Sequence, residues 1–313
     1  MGLKIDRECF NFLGSLDKML SQEEKLFLAD FVCKRKQNPY KHGEFNFYVK
    51  MIISSSLCYY TRKDNYFLFQ NTIEERCGIS FYRNIDNLFH IYDEVNSVRT
   101  IIAFQGTTTF SQWIRNIGLM FLKLFWHFDL KKICKEIINV LKERPEKEYY
   151  LVGHSAGGYI AQFIAMKFCL SGLSINSPAL YFLGFLPIVN ITHQIDGYAD
   201  RGYNTRYQYF YNHAVEGDMV FEKFGRNFYY YGEIVNHEGK SNRLRELHGI
   251  NPFIEMIVKD IIKEEKNVEK NTEMIKEWEY FSRSYENHLY IQNTINKTNP
   301  SFLSMFSSIF LSK

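Results

Sequence analysis

Apolar positions along this chain recur first at helical spacing and then in short unbroken runs, and the alternation between the two predicts its elements. Residues 3–35 carry helical spacing, with Leu13, Leu16, Met19 and Leu20 on one face. Within them, Ser21-Gln22-Glu23-Glu24 has the capping pattern that opens a second helix. Residues 45–60 predict a further apolar helix. A polar turn at Arg83-Asn84 precedes a short strand at 88–92, and Asn96-Ser97 turns the chain into 98–104, a run typical of buried strands. Residues 133–141 are amphipathic and helical, stopped by Pro145 just before the apolar run 149–152. Helical spacing returns at 158–166, and 173–178, 207–211 and 228–233 predict three more strands. From about Glu255 the chain is charged and helical. Strands separated by helices imply an α/β fold, a mainly parallel sheet flanked by helices, with helical additions at both ends. Residues 1–250 are read as one domain, with 1–60 as its helical N-terminal part. Residues 251–313 are a helical extension packed on that domain or continuing it.

The junction between the run at 149–152 and the helix at 158–166 reads Gly153-His154-Ser155-Ala156-Gly157. A G-x-S-x-G pentapeptide between a strand and a helix is a nucleophile elbow, in which a strained turn exposes the serine at the top of the sheet. The glycines two before and two after let strand and helix approach, and the N–H after the serine can face a developing oxyanion. The competing reading is a glycine-rich turn with a bystander serine.

A serine hydroxyl needs a histidine to take its proton, and the histidine needs a carboxylate to fix its tautomer. In this chain order the acid follows the serine and the histidine follows the acid. Asp218 lies in the loop after the strand predicted at 207–211, with Glu216 as runner-up. Asp196 and Asp200 have no clear strand before them and rank lower. His193 and His213 precede Asp218, which is the wrong order. His248, before the helix start Asn251-Pro252, is favoured over His237 as the base; His288 sits in the charged tail.

Composition narrows the classes. With 46% hydrophobic and 17% aromatic residues, the 313-residue chain has the material for a large core, which excludes disorder. A net charge of +3 with nearly balanced signs gives no reason to expect nucleic acid. Six scattered cysteines lack metal-ligand spacing and read as free thiols of a reducing compartment. The first residues lack the apolar stretch of a secretory signal, and no apolar run reaches the ~20 residues of a membrane span. The expected location is the cytoplasm or, for an exported effector, a route that needs no such signal.

Three segments together resemble one family. The stretch Ile101-Ile102-Ala103-Phe104-Gln105-Gly106-Thr107, followed by Trp113, is similar to the Phe-Arg-Gly-Thr strand end and Trp segment of the class 3 lipases, the fungal triacylglycerol-lipase type of α/β hydrolase. The Gly-His-Ser-x-Gly-Gly elbow follows, and Gly217-Asp218-Met219-Val220 resembles that family's Asp-x-Val loop. The resemblance covers residues from about 45 to 250. It implies an α/β-hydrolase fold with Ser155 as nucleophile, Asp218 as acid and Thr107 and Ala156 as oxyanion donors; His248 completes the triad by its place in the chain. The chain departs from the pattern with Gln105 for Arg, Asn116 for Asp and Ala156 for Leu, and its histidine lacks a strong local motif.

The resemblance also makes residues 117–128 a lid, an apolar flap including Leu119, Phe121, Phe125 and Trp126 that with Trp113 borders the acyl site; a core helix is the even alternative. Near the C-terminus Phe302, Leu303, Met305, Phe306, Ile309, Phe310 and Leu311 recur at helical spacing and suit docking or membrane contact. The expected activity is hydrolysis of lipid carboxylic esters, of the phospholipase A or acylglycerol lipase kind, with a lipid substrate, a transient membrane surface and no metal or cofactor. A small-ester esterase, thioesterase or acyltransferase, or a catalytically silent hydrolase fold used for binding, are the alternatives.

Overall fold

Among the described residues, seven strands run in chain order across one sheet: β1 (Ile79–Ile85), β2 (Phe89–Glu94), β3 (Arg99–Phe104), β4 (Glu148–His154), β5 (Ser171–Ile175), β6 (Phe210–Val215) and β7 (Glu233–His237). The computed structural model describes residues 20–34, 45–59, 74–75, 77–86, 88–106, 124–168, 170–179, 210–224, 230–239, 247–250, 253 and 256. β1, β2 and β3 pair antiparallel, and β3 through β7 pair in parallel. The sheet is therefore mainly parallel, and its parallel strands deliver their carboxyl ends to one edge, where open α/β sheets place their sites.

Among the described residues, five helices accompany the sheet: α1 (Gln22–Lys34), α2 (Phe45–Leu57), α3 (Leu124–Glu143), α4 (Ala156–Phe168) and the short α5 (Met219–Phe224). α3 carries the chain from β3 to β4, and α4 from β4 to β5. The strand side chains alternate between two faces. Ile102, Phe104, Tyr149 and Leu151 point into a core shared with Leu28 and Phe31 of α1, Ile137 and Leu141 of α3, and Ile164 and Phe168 of α4. On the other face Phe47 of α2 meets the Tyr150 ring edge-on at 4.7 Å. Central strands covered on both sides are apolar throughout, which is why 98–104 and 149–152 were such clear strands in the sequence. The Ser21–Glu24 capping pattern forms: Ser21 N–H donates to Glu24 Oε2 at 2.6 Å and Glu24 N–H to Ser21 Oγ at 3.2 Å.

Several predicted boundaries move. Arg83 and Asn84 lie inside β1 and not in a turn. β1 is an edge strand of the sheet, and beyond buried Ile79 its residues alternate between exposed and half-buried, so polar side chains are at home on it. α3 begins at Leu124, nine residues before the amphipathic stretch that predicted it. β6 extends to Val215 where the sequence suggested a loop from 212, and β7 begins at Glu233, where the aromatic run 228–233 ends. The chain divides into two compact units, Met1–Ile254 and Glu255–Lys313. The helical face of Leu13, Leu16 and Met19 and the apolar residues Phe302 to Leu311 lie outside the described residues.

Candidate active site

Ser155 occupies the one-residue turn between β4 and α4, at a φ of 56°. A non-glycine residue in this left-handed region costs on the order of 1–3 kcal/mol and persists only where its surroundings over-determine it. Here they do. Ser155 N–H donates to the Ile175 carbonyl at 2.9 Å, and its own carbonyl accepts from Tyr159 N–H at 3.2 Å. A Cβ on Gly153 would fall on the Gly157 carbonyl, and a Cβ on Gly157 on the Phe104 carbonyl oxygen. Strand, helix and the end of β3 thus meet backbone to backbone, with Phe104 opposite Gly153 in the ladder.

The acid comes from the loop after β6. Asp218 is fully buried and precedes α5, whose first turn it caps through Oδ1, accepting Phe221 N–H at 2.9 Å. Its Oδ2 lies 2.7 Å from Nδ1 of His248. A carboxylate only accepts, so His248 Nδ1–H donates and Nε2 carries the lone pair. That nitrogen faces Ser155 Oγ at 3.0 Å. The His248 side chain remains 30% exposed, so the row opens to solvent at the base.

The rival residues are engaged elsewhere or lie out of view. The Glu216 side chain is exposed, and its backbone N–H donates to the His237 carbonyl at 2.9 Å. His237 Nε2 pairs with Nδ1 of buried His213 at 2.8 Å, and Tyr48 also reaches the His213 ring. Asp196, Asp200, His193 and His288 lie outside the described residues, as do Thr107, Trp113, Leu119 and Phe121. Phe125 and Trp126 fall at the start of α3, their side chains outside what is described. Ala156 is the first residue of α4, where backbone N–H groups have no acceptor within the helix and the macrodipole favours negative charge.

Two further residues touch the site that sequence reasoning did not single out. Nε2 of His154, inside the elbow motif, lies 2.6 Å from the His248 carbonyl, while Nδ1 lies 2.8 Å from the Tyr59 hydroxyl. Burial, and secondarily the charge of His248 nearby, lowers the His154 pKa to about 3, so its ring stays neutral. A carbonyl accepts only, so Nε2–H donates and Nδ1 accepts from Tyr59. Asn176, just past β5 at a φ of 45°, donates from its backbone N–H to the His213 carbonyl at 2.8 Å. Its side chain accepts Val215 N–H at 3.1 Å and donates to the Leu247 carbonyl at 2.8 Å. His154 was in view as the variable position of the elbow; Asn176 had no sequence signal beyond an amide at a strand end.

A mainly parallel sheet with a strand–serine–helix elbow, the acid after a later strand and the histidine beyond it defines an α/β-hydrolase fold. The family described as "Uncharacterised protein family (UPF0227)" matches residues 103–225. No protein among the curated sequences matches the chain. Solved structures similar to it are fungal lipases. A lipase from Rhizopus microsporus var. chinensis is 13% identical with a TM-score of 0.40, over 65% of this chain and 77% of that one. Lip2 lipase from Yarrowia lipolytica is 12% identical with a TM-score of 0.40, over 65% and 83%. Lipase II from Rhizopus niveus is 12% identical with a TM-score of 0.39, over 65% and 83%.

Proposed function

We propose that this protein is a serine hydrolase that cleaves carboxylic esters of lipids through an acyl-enzyme on Ser155. The observation that carries the reading is the unbroken row from Ser155 Oγ to His248 Nε2 at 3.0 Å and from His248 Nδ1 to Asp218 Oδ2 at 2.7 Å. Ser155 attacks the acyl carbonyl as His248 Nε2 takes the hydroxyl proton, and buried Asp218 stabilises the imidazolium that forms. His248 then gives that proton to the leaving alkoxide. A water, deprotonated by the same nitrogen, adds to the acyl-enzyme, and His248 returns that proton to Ser155 Oγ as the carboxylic acid leaves. The N–H of Ala156 is the proposed oxyanion donor on the elbow side, and Thr107 is the proposed second donor.

A lipid substrate of the phospholipid or acylglycerol kind, met transiently at a membrane surface, accords with the apolar composition of 117–128, the proposed lid. The test pairs a fluorophosphonate probe with a product profile on defined phospholipid, acylglycerol and short soluble esters. The wild type should be labelled and should release fatty acid, and Ser155→Ala should do neither while keeping its fold. Full activity in Ser155→Ala would overturn the mechanism. A labelled enzyme that prefers short soluble esters would remove the lipid assignment while keeping the hydrolase.

A further inference from the structure

The histidine that faces Ser155 sits in a segment without a recognisable local motif, yet two successive carbonyls of that segment are each held by a buried side chain. Asn176 Nδ2 donates to the Leu247 carbonyl at 2.8 Å, and His154 Nε2–H donates to the His248 carbonyl at 2.6 Å. These donors stand at the ends of neighbouring strands, since His154 is paired with Ile175, the residue before Asn176. Each donor is locked in turn. Tyr59 fills the other nitrogen of His154, and Val215 N–H and the His213 carbonyl fill the remaining groups of Asn176. Asn176 thereby joins the base segment to the strand end three residues before Asp218. His154, the residue directly before Ser155, joins it to the elbow.

Resting on the hydrolase reading above, we infer that His154 and Asn176 are the positioning residues of the base, holding the His248 backbone so that its imidazole spans Asp218 and Ser155. The imidazole cannot find this place unaided. His248 is partly exposed, and its ring makes one bond to Asp218 and one to Ser155, both broken by a small shift of the backbone. A misplacement of about 1 Å at a reacting group costs on the order of a hundredfold in rate. His154 must be neutral for this task. A protonated ring would set a positive charge beside the His248 ring, whose centroid is 5.0 Å away, and oppose the imidazolium that His248 becomes when it takes the serine proton.

The experiment compares wild type with His154→Phe, His154→Gln, Tyr59→Phe and Asn176→Ala, each checked for its unfolding transition. The readouts are kcat and KM on the best ester, the rate of Ser155 phosphonylation by a fluorophosphonate, and the low-field proton resonance of His248 Nδ1–H. His154→Phe keeps the ring volume and loses the donor. Its kcat and phosphonylation rate should fall roughly 10- to 100-fold with KM unchanged, and the His248 resonance should broaden. His154→Gln, whose amide N–H can take the place of Nε2–H, should restore most of both rates and the sharp resonance. Tyr59→Phe should give a smaller loss in the same direction. Asn176→Ala, if folded, should resemble His154→Phe; if it unfolds, the His154 series decides.

A folded His154→Phe protein with wild-type rates and a sharp resonance overturns the inference. So does a loss that His154→Gln fails to restore, because the ring and not the donor would then matter. A wild type that no fluorophosphonate labels overturns the hydrolase reading instead, and the resonance alone then tests the positioning.

Discussion

Asp218 does two jobs with two oxygens, and a single atom exchange separates them. Oδ1 caps α5 by accepting Phe221 N–H, and Oδ2 accepts from His248. Asn at this position can keep the capping oxygen but presents an NH2 group to His248 Nδ1, which forces the proton onto Nε2, where it blocks transfer from Ser155. Asp218→Asn should therefore lose about 10⁴ in kcat, a loss known for this exchange in serine proteases, with little change in unfolding free energy. Asp218→Ala should lose the same activity and, in addition, about 1–2 kcal/mol from the missing cap. Steady-state kinetics beside urea denaturation of the two variants checks this. Equal stability of the two would mean that the Oδ1 contact contributes nothing to α5. The same scale explains what was legible at the nucleophile. The elbow needs Gly153 and Gly157 for close backbone approach and Ser155 for its hydroxyl at the strained turn, and those requirements fall within five consecutive residues.

At the scale of elements, local signals held wherever an element's own residues determine its form. The Ser21–Glu24 pattern is one such signal, because both of its hydrogen bonds close within one turn on the exposed side of α1. Ser21→Ala should cost about 1 kcal/mol in unfolding free energy and leave kcat/KM unchanged. Denaturant titration and kinetics on the same preparation test it, and an unchanged midpoint would mean that α1 frays in the native protein. Strand ends were less legible where buried residues are polar. Asn212 and His213 look like loop residues, yet both are buried in β6. Asn212 belongs there because Ser174 Oγ donates to its side-chain oxygen at 2.7 Å while its amide donates to the Tyr231 carbonyl at 2.7 Å. A hydrogen-bonded polar side chain can be buried as deeply as an apolar one, and composition alone cannot reveal its partner. Arg83 was misread for a related reason: on the outer strand it reaches Glu143 of α3 at 2.7 Å, so a polar residue sits in β1 without interrupting it.

Contacts across the whole molecule hold the proposed base, so the sequence around residue 248 carries no local motif of the kind that surrounds the proposed nucleophile. His248 is positioned by a contact from His154, 94 residues earlier, and by Asn176 acting on its neighbour Leu247 from 71 residues away. Such contacts exist only once parallel strands have brought their carboxyl ends together, so no window around residue 248 contains them. The same assembly gives the protein an acid-sensitive link. His154 titrates near 6.5 when unfolded, whereas burial lowers it to about 3 in the fold. Between these values the unfolded chain binds a proton that the native chain refuses, so stability must rise with pH across that interval. The contribution of His154 is complete above about pH 6.5 and drains away toward pH 3, by up to about 1.4 kcal/mol for each unit of pH. His154→Gln cannot titrate and should lose this part of the slope, while His248 and Asp218 are common to both proteins and cancel in the comparison. Unfolding free energies measured from pH 4 to pH 8 should therefore diverge below pH 6.5, with the wild type falling more steeply. Parallel curves would mean that His154 takes up its proton in the folded state as readily as in the unfolded one, and that the buried neutral donor assigned to it does not exist.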